Sequence, residues 1–149
     1  NLMFGCPTAT EEQIEEALVI SQAKEFVDTK EGRLDAVVEQ GGKNLSGGQR
    51  QRLTLARALV PQSDILIMDD SASALDYATD AKLRKAIQNM KRKPTVFIVS
   101  QRTSSIQDAD SILVLDDGKI AGKGTHEELI ASCDIYREIY ETQFKKEEA

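Results

Sequence analysis

The sequence is poor in the features that mark membrane, disulfide-rich and fibrous proteins. Its 149 residues include no tryptophan, three prolines, one histidine and two cysteines. Its apolar runs are all far shorter than the ~20 residues that a membrane-spanning helix needs. Cys6 and Cys133 lie far apart and match neither a disulfide framework nor a metal-ligand spacing. These absences exclude a membrane span, a disulfide scaffold and a collagen, and they predict a soluble chain with reduced cysteines.

The chain also lacks an excess of positive charge. Asp and Glu number 25 against 19 Lys and Arg, a net charge of −6, which argues against a basic nucleic-acid arm or a polybasic membrane patch. The basic run 91–93 is too short to change this, so no nucleic-acid partner is expected. Hydrophobic residues make up 40% of the chain, which is enough for a core and too many for a disordered segment.

Apolar periodicity separates a helical first part from a second part in which strands and helices alternate. Helices are predicted over the ranges 11–27, 46–60, 77–91 and 134–144, with one more after Thr125. Strands are predicted at 65–68, 96–99 and 111–115, the first two buried on both faces, and Asp117-Gly118 predicts a hairpin turn. The pattern predicts an α/β fold with parallel strands and flanking helices. Residues 1–60 form a separate helical lobe in this prediction, and residues 145–149 fray into solvent.

The segment LSGGQ, Leu45–Gln49, stands where a helix is predicted to begin. Free amides at a helix N-terminus carry partial positive charge, and Gly47 and Gly48 would let a phosphate approach the backbone. The Ser46 hydroxyl could donate to a phosphate oxygen. The alternative is an N-cap serine followed by a flexible turn.

Two acids close the predicted strand at 65–68. Ligands of open α/β sheets bind at the carboxyl ends of the strands, which is where Asp69 and Asp70 lie. Asp69 could hold Mg²⁺ directly or through water, and Asp70 could orient or deprotonate a water molecule. The alternative is a pair of acids that opens a turn.

The order of the motifs is more specific than any one of them. LSGGQRQRLTLARAL, ILIMDD, SALD and IVSQR follow one another, and together they resemble the nucleotide-binding domain of an ATP-binding cassette (ABC) exporter. The resemblance covers nearly the whole chain and extends to the multidrug and lipid exporters. It implies ATP and Mg²⁺ as ligands, with Asp69 as the Walker B acid and metal ligand and with Asp70 and Gln101 at the catalytic positions. The other implied nucleotide-binding residues are Leu45, Ser46, Gly47, Gly48, Gln49 and the D-loop residue Asp76.

Three departures from the family pattern qualify this resemblance. A P-loop needs Gly-Lys-Ser/Thr, and none of the three Gly-Lys pairs in the chain is followed by Ser or Thr. The resemblance therefore implies the second half of a nucleotide-binding domain, with part of the helical subdomain at 1–60 and the C-terminal half of the ATPase core at 61–149. Asp70 stands where the family usually has Glu, and its carboxylate is drawn back by roughly 1 Å, a displacement that can cost ~100-fold in rate. Gln101 stands where the family usually has His and carries no titratable proton.

The intact signature and the altered catalytic positions imply one half of an asymmetric pair. ABC domains work head to tail, so LSGGQ would complete an ATP site on a partner domain while Asp70 and Gln101 line a degenerate site. A heterodimeric exporter at the cytoplasmic face of the cell membrane, coupled to a transmembrane domain, is the implied setting. One alternative is a catalytically inert fragment that associates with itself through exposed strand edges. Another is a soluble ABC ATPase of the chromosome or repair type.

Three other residues are open to plain structural interpretations. Arg50 and Arg52 flank the signature, and they could contact phosphate or pair with surface acids. His126, the only histidine, is expected to be a helix-start residue.

Overall fold

The computed structural model describes residues 1–144, and the chain divides into two units, Asn1–Val99 and the part from Ser100 onward. The expected fraying of residues 145–149 lies outside the described residues. Within the described part, no helix is long and apolar enough to cross a membrane.

After a 3-10 turn at Leu2–Phe4, the first unit has three α-helices, α1 (Glu11–Ile20), α2 (Lys24–Asp28) and α3 (Gly47–Leu59). The prediction of one continuous helix over 11–27 is wrong, because the backbone of Gln22 turns into the left-handed region with φ 60°. The Ser21 hydroxyl donates to the Leu18 carbonyl at 3.2 Å, and the Gln22 side chain donates to the Val19 carbonyl at 3.0 Å. These side chains satisfy the last carbonyls of α1, so the helix ends there.

The predicted starts of α1 and α3 are confirmed. In each, the N-cap hydroxyl accepts from the backbone of the third helical residue, and that residue's amide side chain accepts from the N-cap backbone. The pairs are Thr10 with Gln13 and Ser46 with Gln49. The connection over 28–44 contains only the short 3-10 turns Arg33–Asp35 and Gln40–Gly42 among its regular elements.

A strand, a helix and a second strand complete the first unit. Strand β1 (Ile65–Asp69) pairs in parallel with β2 (Thr95–Val99), and helix α4 (Tyr77–Gln88) connects them. A helical connection is what parallel neighbours require. The register sets Ile67 beside Phe97 and Asp69 beside Val99.

Burial alternates along β1. Leu66 and Met68 are 7% and 3% exposed, whereas Ile65 and Ile67 are 57% and 68% exposed. The prediction that these strands are buried on both faces is therefore wrong for the described chain. The covered face belongs to a continuous core that reaches from α1 to α4 and includes Leu18, Leu55, Leu59 and Leu83. The predicted domain boundary at residue 60 stays a prediction.

The second unit contains the hairpin of β3 (Ile112–Asp116) and β4 (Lys119–Gly124), followed by α5 (His126–Ser132) and α6 (Asp134–Phe144). Asp117 and Gly118 have φ of 45° and 73°, as a two-residue hairpin turn requires, which confirms the prediction. Thr125 caps α5 in a box with Glu128. The core of this unit is Ile112, Val114, Leu129, Cys133 and Tyr136.

Candidate functional site

The signature segment is held as a preformed helix start. The Gln49 amide donates to Ser46 Oγ at 3.2 Å, and the Ser46 amide donates to Gln49 Oε1 at 3.0 Å. This cap uses a lone pair of the serine oxygen, so its hydroxyl proton remains available to an acceptor. Ser46 and Gly47 are exposed, and Leu45 packs at the edge of the core. The segment is thus both an N-cap and a potential phosphate site.

The first turn of α3 and the acids after β1 line one open cleft of about 410 Å³. Asp69 ends β1 as an exposed side chain. Asp70 follows with φ 48°, and its backbone amide donates to the Val99 carbonyl at 3.0 Å. The other lining residues are Gly47, Arg50, Gln51, Thr54, Leu55, Ser71 and Ala74. The structure therefore brings Gly47 of the signature and both acids to the same cleft.

The donor set of the cleft suits a hard divalent cation. Mg²⁺ is usually held by one or two carboxylates together with phosphate oxygens and water, rather than by a cage of protein ligands. Asp69 offers an exposed carboxylate, and Asp70 is its chain neighbour in the same cleft. Across residues 1–144, no group of three or more His, Cys, Asp or Glu side chains is placed to hold a metal by itself. The residues present fit Mg²⁺ that arrives with a nucleotide.

Asp76 acts as the N-cap of α4. Its carboxylate oxygens accept from the Thr79 amide and the Thr79 hydroxyl, each at 2.9 Å. These two hydrogen bonds hold the pKa of the Asp76 carboxyl below its usual value. The negative charge also lies at the positive end of the α4 dipole. Its implied nucleotide-binding role stays a prediction.

Gln101 lies in the second unit, where a helix side chain holds its backbone. Gln143 on α6 donates from Nε2 to the Gln101 carbonyl at 2.6 Å. Its Oε1 accepts from the Thr103 amide at 2.9 Å and from the Thr103 hydroxyl at 3.0 Å. The Gln101 residue itself is exposed. Sequence reasoning missed Gln143, because nothing in its local pattern links it to a segment about forty residues earlier.

The two arginines of the signature helix contact main-chain carbonyls. Arg52 donates to the Gln22 carbonyl at 2.8 Å, and its guanidinium lies 4.9 Å from the centre of the Phe26 ring. Arg50 donates to the Gly41 carbonyl at 3.3 Å. Within the described chain these contacts replace the expected acid partners, and Arg52 fastens α3 to the break between α1 and α2.

His126 is the first residue of α5, as expected. Its Nδ1 lies 2.9 Å from the hydroxyl of Tyr136, which is buried. Burial raises the pKa of Tyr136, so the phenol stays protonated. The contact packs α5 on α6 and belongs to the core of the second unit.

Comparison with known proteins identifies the class. Residues 7–73 match the family model described as ABC transporter. The chain is 41% identical over 147 residues to an ATP-dependent lipid A-core flippase of Shewanella frigidimarina, covering 98% of this chain and 24% of that protein. It is 40% identical over 149 residues to a beta-(1-->2)glucan export ATP-binding/permease protein of Rhodopseudomonas palustris, covering 100% of this chain and 25% of that protein.

A solved structure agrees with these relatives. The structure of a bacterial Atm1-family ABC exporter with ATP bound superposes with a TM-score of 0.90 and 31% identity, covering 95% of this chain and 25% of that one. The chain therefore belongs to the ATP-binding domains of ABC transporters, and the relatives named here are a flippase, a glucan export protein and an exporter. It spans about a quarter of the length of the curated relatives that it matches. Proteins of this family use ATP with Mg²⁺.

Proposed function

We propose that this chain supplies the signature segment of an ABC exporter to an ATP site that is completed by the Walker motifs of a second nucleotide-binding domain. The observation that carries the proposal is the start of α3, where a capping box fixes the backbone and leaves Ser46 and Gly47 exposed. Amides at such a start, with a serine hydroxyl beside them, favour phosphate oxygens. In phosphoryl transfer, positioned donors of this kind stabilise charge rather than form covalent bonds.

Asp69 would hold Mg²⁺ on this chain's own side of the pair. The ion, when bound with ATP, neutralises charge on the phosphates. Asp69 contributes an exposed carboxylate at the end of β1, and Asp70 is positioned beside it by the main-chain bond to Val99. The remaining nucleotide contacts proposed for this chain are Leu45, Gly48, Gln49 and Asp76.

The altered catalytic positions support an asymmetric pair. Asp70 is one methylene shorter than glutamate, and Gln101 can donate or accept hydrogen bonds but carries no titratable proton. We infer that this chain's own site binds ATP and turns it over slowly or not at all, while the partner's site is competent. The setting proposed is a heterodimer coupled to a transmembrane domain, with this chain at the cytoplasmic face of the membrane.

The test uses the complete transporter that carries this sequence. Ser46→Arg places a bulky cation at the helix start, and we expect it to abolish most ATP hydrolysis, while Ser63→Arg, at another exposed serine, leaves it unchanged. Asp70→Glu combined with Gln101→His should raise hydrolysis by restoring a second competent site. The proposal is rejected if Ser46→Arg does not lower ATP hydrolysis and the double variant does not raise it.

A second candidate function is self-association without ATPase activity. The observation that favours it is the exposed apolar face of the β1–β2 pair, formed by Ile65, Ile67, Phe97 and Val99. Apolar patches of this kind on a sheet invite another chain. A transporter that hydrolyses ATP and loses this activity with Ser46→Arg would exclude it.

A further inference from the structure

The side chain of Gln51 connects the signature helix to the turn that follows β1. Its Nε2 donates to Ser73 Oγ at 2.9 Å and to the Asp70 carbonyl at 3.4 Å. Its Oε1 accepts from the Ala74 amide at 2.9 Å. The Gln51 side chain thus makes three hydrogen bonds, as donor and as acceptor, to the single turn Asp70–Ala74.

The two segments approach each other closely at the same place. A Cβ added to Gly48 would lie 3.1 Å from the Ala74 carbonyl oxygen, and one added to Gly47 would lie 3.6 Å from the Ala74 Cβ. Gln51 lies one helical turn after Gly47, so its side chain covers the same face of α3. The glycines allow the approach, and Gln51 bonds the surfaces together.

The backbone of Asp70 is held from both sides as a result. Its amide donates to the Val99 carbonyl on β2. Its carbonyl accepts from Gln51 on α3 at 3.4 Å and, within the turn, from the Ser73 hydroxyl at 3.0 Å and the Ser73 amide at 3.3 Å, and Gln51 donates to that same Ser73 oxygen. The residue has φ 48°, a left-handed conformation that costs energy for a residue with a Cβ and persists only when its surroundings impose it. Because both main-chain groups are fixed, the direction in which the Asp70 side chain leaves the backbone is fixed as well.

We propose that Gln51 is a positioning residue that holds the Asp70–Ala74 turn against the signature helix and thereby aims the Asp70 carboxylate into the cleft. The part of this inference that concerns turnover rests on the proposed function, since Asp70 acts on nucleotide only in that proposal. Asparagine would be too short to reach the turn, and glutamate would lose the donor to the Asp70 carbonyl. Glutamine is the side chain of this reach with both a donor and an acceptor.

The first experiment measures amide hydrogen exchange in the 149-residue chain. Gln51→Leu should speed exchange of the Ala74 amide about fivefold, the expected effect of losing one ordinary hydrogen bond. It should also speed exchange of the Asp70 amide, which bonds to Val99 and not to Gln51. Gln51→Glu should keep the Ala74 amide protected from exchange, because glutamate still offers an acceptor, but the Asp70 amide should still exchange faster. Gln88→Leu, the same change at an exposed position of α4, is the matched control.

The second experiment measures ATP turnover in the complete transporter. With Asp70→Glu and Gln101→His in place, Gln51→Leu should lower kcat of the added activity roughly 10- to 100-fold and leave KM within about twofold, because it displaces a reacting group without touching substrate. With the original Asp70 and Gln101, the same change should alter turnover less than about twofold. If Gln51 had only a structural role, Gln51→Leu would lower ATP turnover equally with the original Asp70 and Gln101 and with the double variant.

The outcomes separate this inference from the proposed function. If the double variant adds no turnover, the degenerate-site proposal fails, and amide exchange alone decides the role of Gln51. If Gln51→Leu affects Ala74 but leaves Asp70 unchanged, Gln51 is only a local partner and the inference is overturned. Equal loss of kcat in both backgrounds would overturn it too.

Discussion

The two faces of the β1–β2 pair have similar side chains and opposite surroundings. Leu66 and Met68 lie in the core of the first unit, while Ile65 and Ile67, their neighbours along the same strand, are more than half exposed. Phe97 and Val99 extend the exposed face onto β2. Composition is therefore no guide to which face is covered, and the difference comes from where α1, α3 and α4 pack.

This contrast shows that the strand sequence suits a sheet with two covered faces. A run such as ILIM lacks the alternation of a strand with one side in water. In the described chain, helices cover one face of the β1–β2 pair. The other face is exposed and ends in Asp69 beside the cleft. The face that carries the candidate site is thus the less protected of the two.

The largest expected effect is a difference in stability between alanine variants on the two faces of β1. Leu66→Ala removes a core side chain and should cost about 2–5 kcal/mol of unfolding free energy. Ile67→Ala removes an isomeric side chain from the exposed face and should cost less than about 0.5 kcal/mol. Urea titration of both variants measures the difference. Equal losses would mean that both faces are covered in solution.

Much of the fold could be predicted from the sequence, because its signals are local. The helix starts at Thr10, Ser46 and Thr125, the Asp117-Gly118 turn and the strand positions are confirmed. The break at Gln22 was missed, since the apolar spacing continues through it and only side chains bonding back to α1 reveal the end. One-sided burial was missed because it depends on what packs across the strand.

The candidate site could be predicted less completely. Gly47, Asp69 and Asp70 line one cleft, which the sequence did not predict, because the signature and the two acids were assigned to different ATP sites of a pair. The family of the chain was predicted from the motif order. Gln51 and Gln143 were not predicted, because each acts through main-chain groups distant in sequence. No residue type or spacing marks such a contact in advance.

A smaller effect on stability tests the start of α3, the helix whose first residue, Gly47, lines the cleft. Ser46→Ala removes the cap of α3, whose Leu55 and Leu59 share the core with Leu66. It should cost about 1 kcal/mol of unfolding free energy. Ser63→Ala, at an exposed serine outside the helices, should cost almost nothing. No difference between the two variants would show that the capping box adds nothing to stability.

A still smaller effect depends on pH and concerns the start of α4. The pKa of Asp76 is lowered from 3.8 by its bonds to Thr79, so folding favours the charged form. Its contribution is complete above the unfolded value and is lost as pH falls through the lower, folded value. Between about pH 5 and about pH 3, the wild-type chain should lose more stability than Asp76→Asn, which still caps but does not titrate. Parallel losses would exclude Asp76 as a source of the acid sensitivity.

The smallest expected effect on stability tests the exposed face itself. Ile67→Thr keeps a β-branched side chain, so the strand should remain and the unfolding free energy should change by less than about 0.5 kcal/mol. If the exposed face binds a second copy, sedimentation should show a weaker dimer for Ile67→Thr than for the wild-type chain, because the contact loses apolar area. Val19→Thr, on the exposed side of α1, serves as the control. A wild-type chain that stays monomeric at high concentration would remove self-association as a function and leave this face to a different partner.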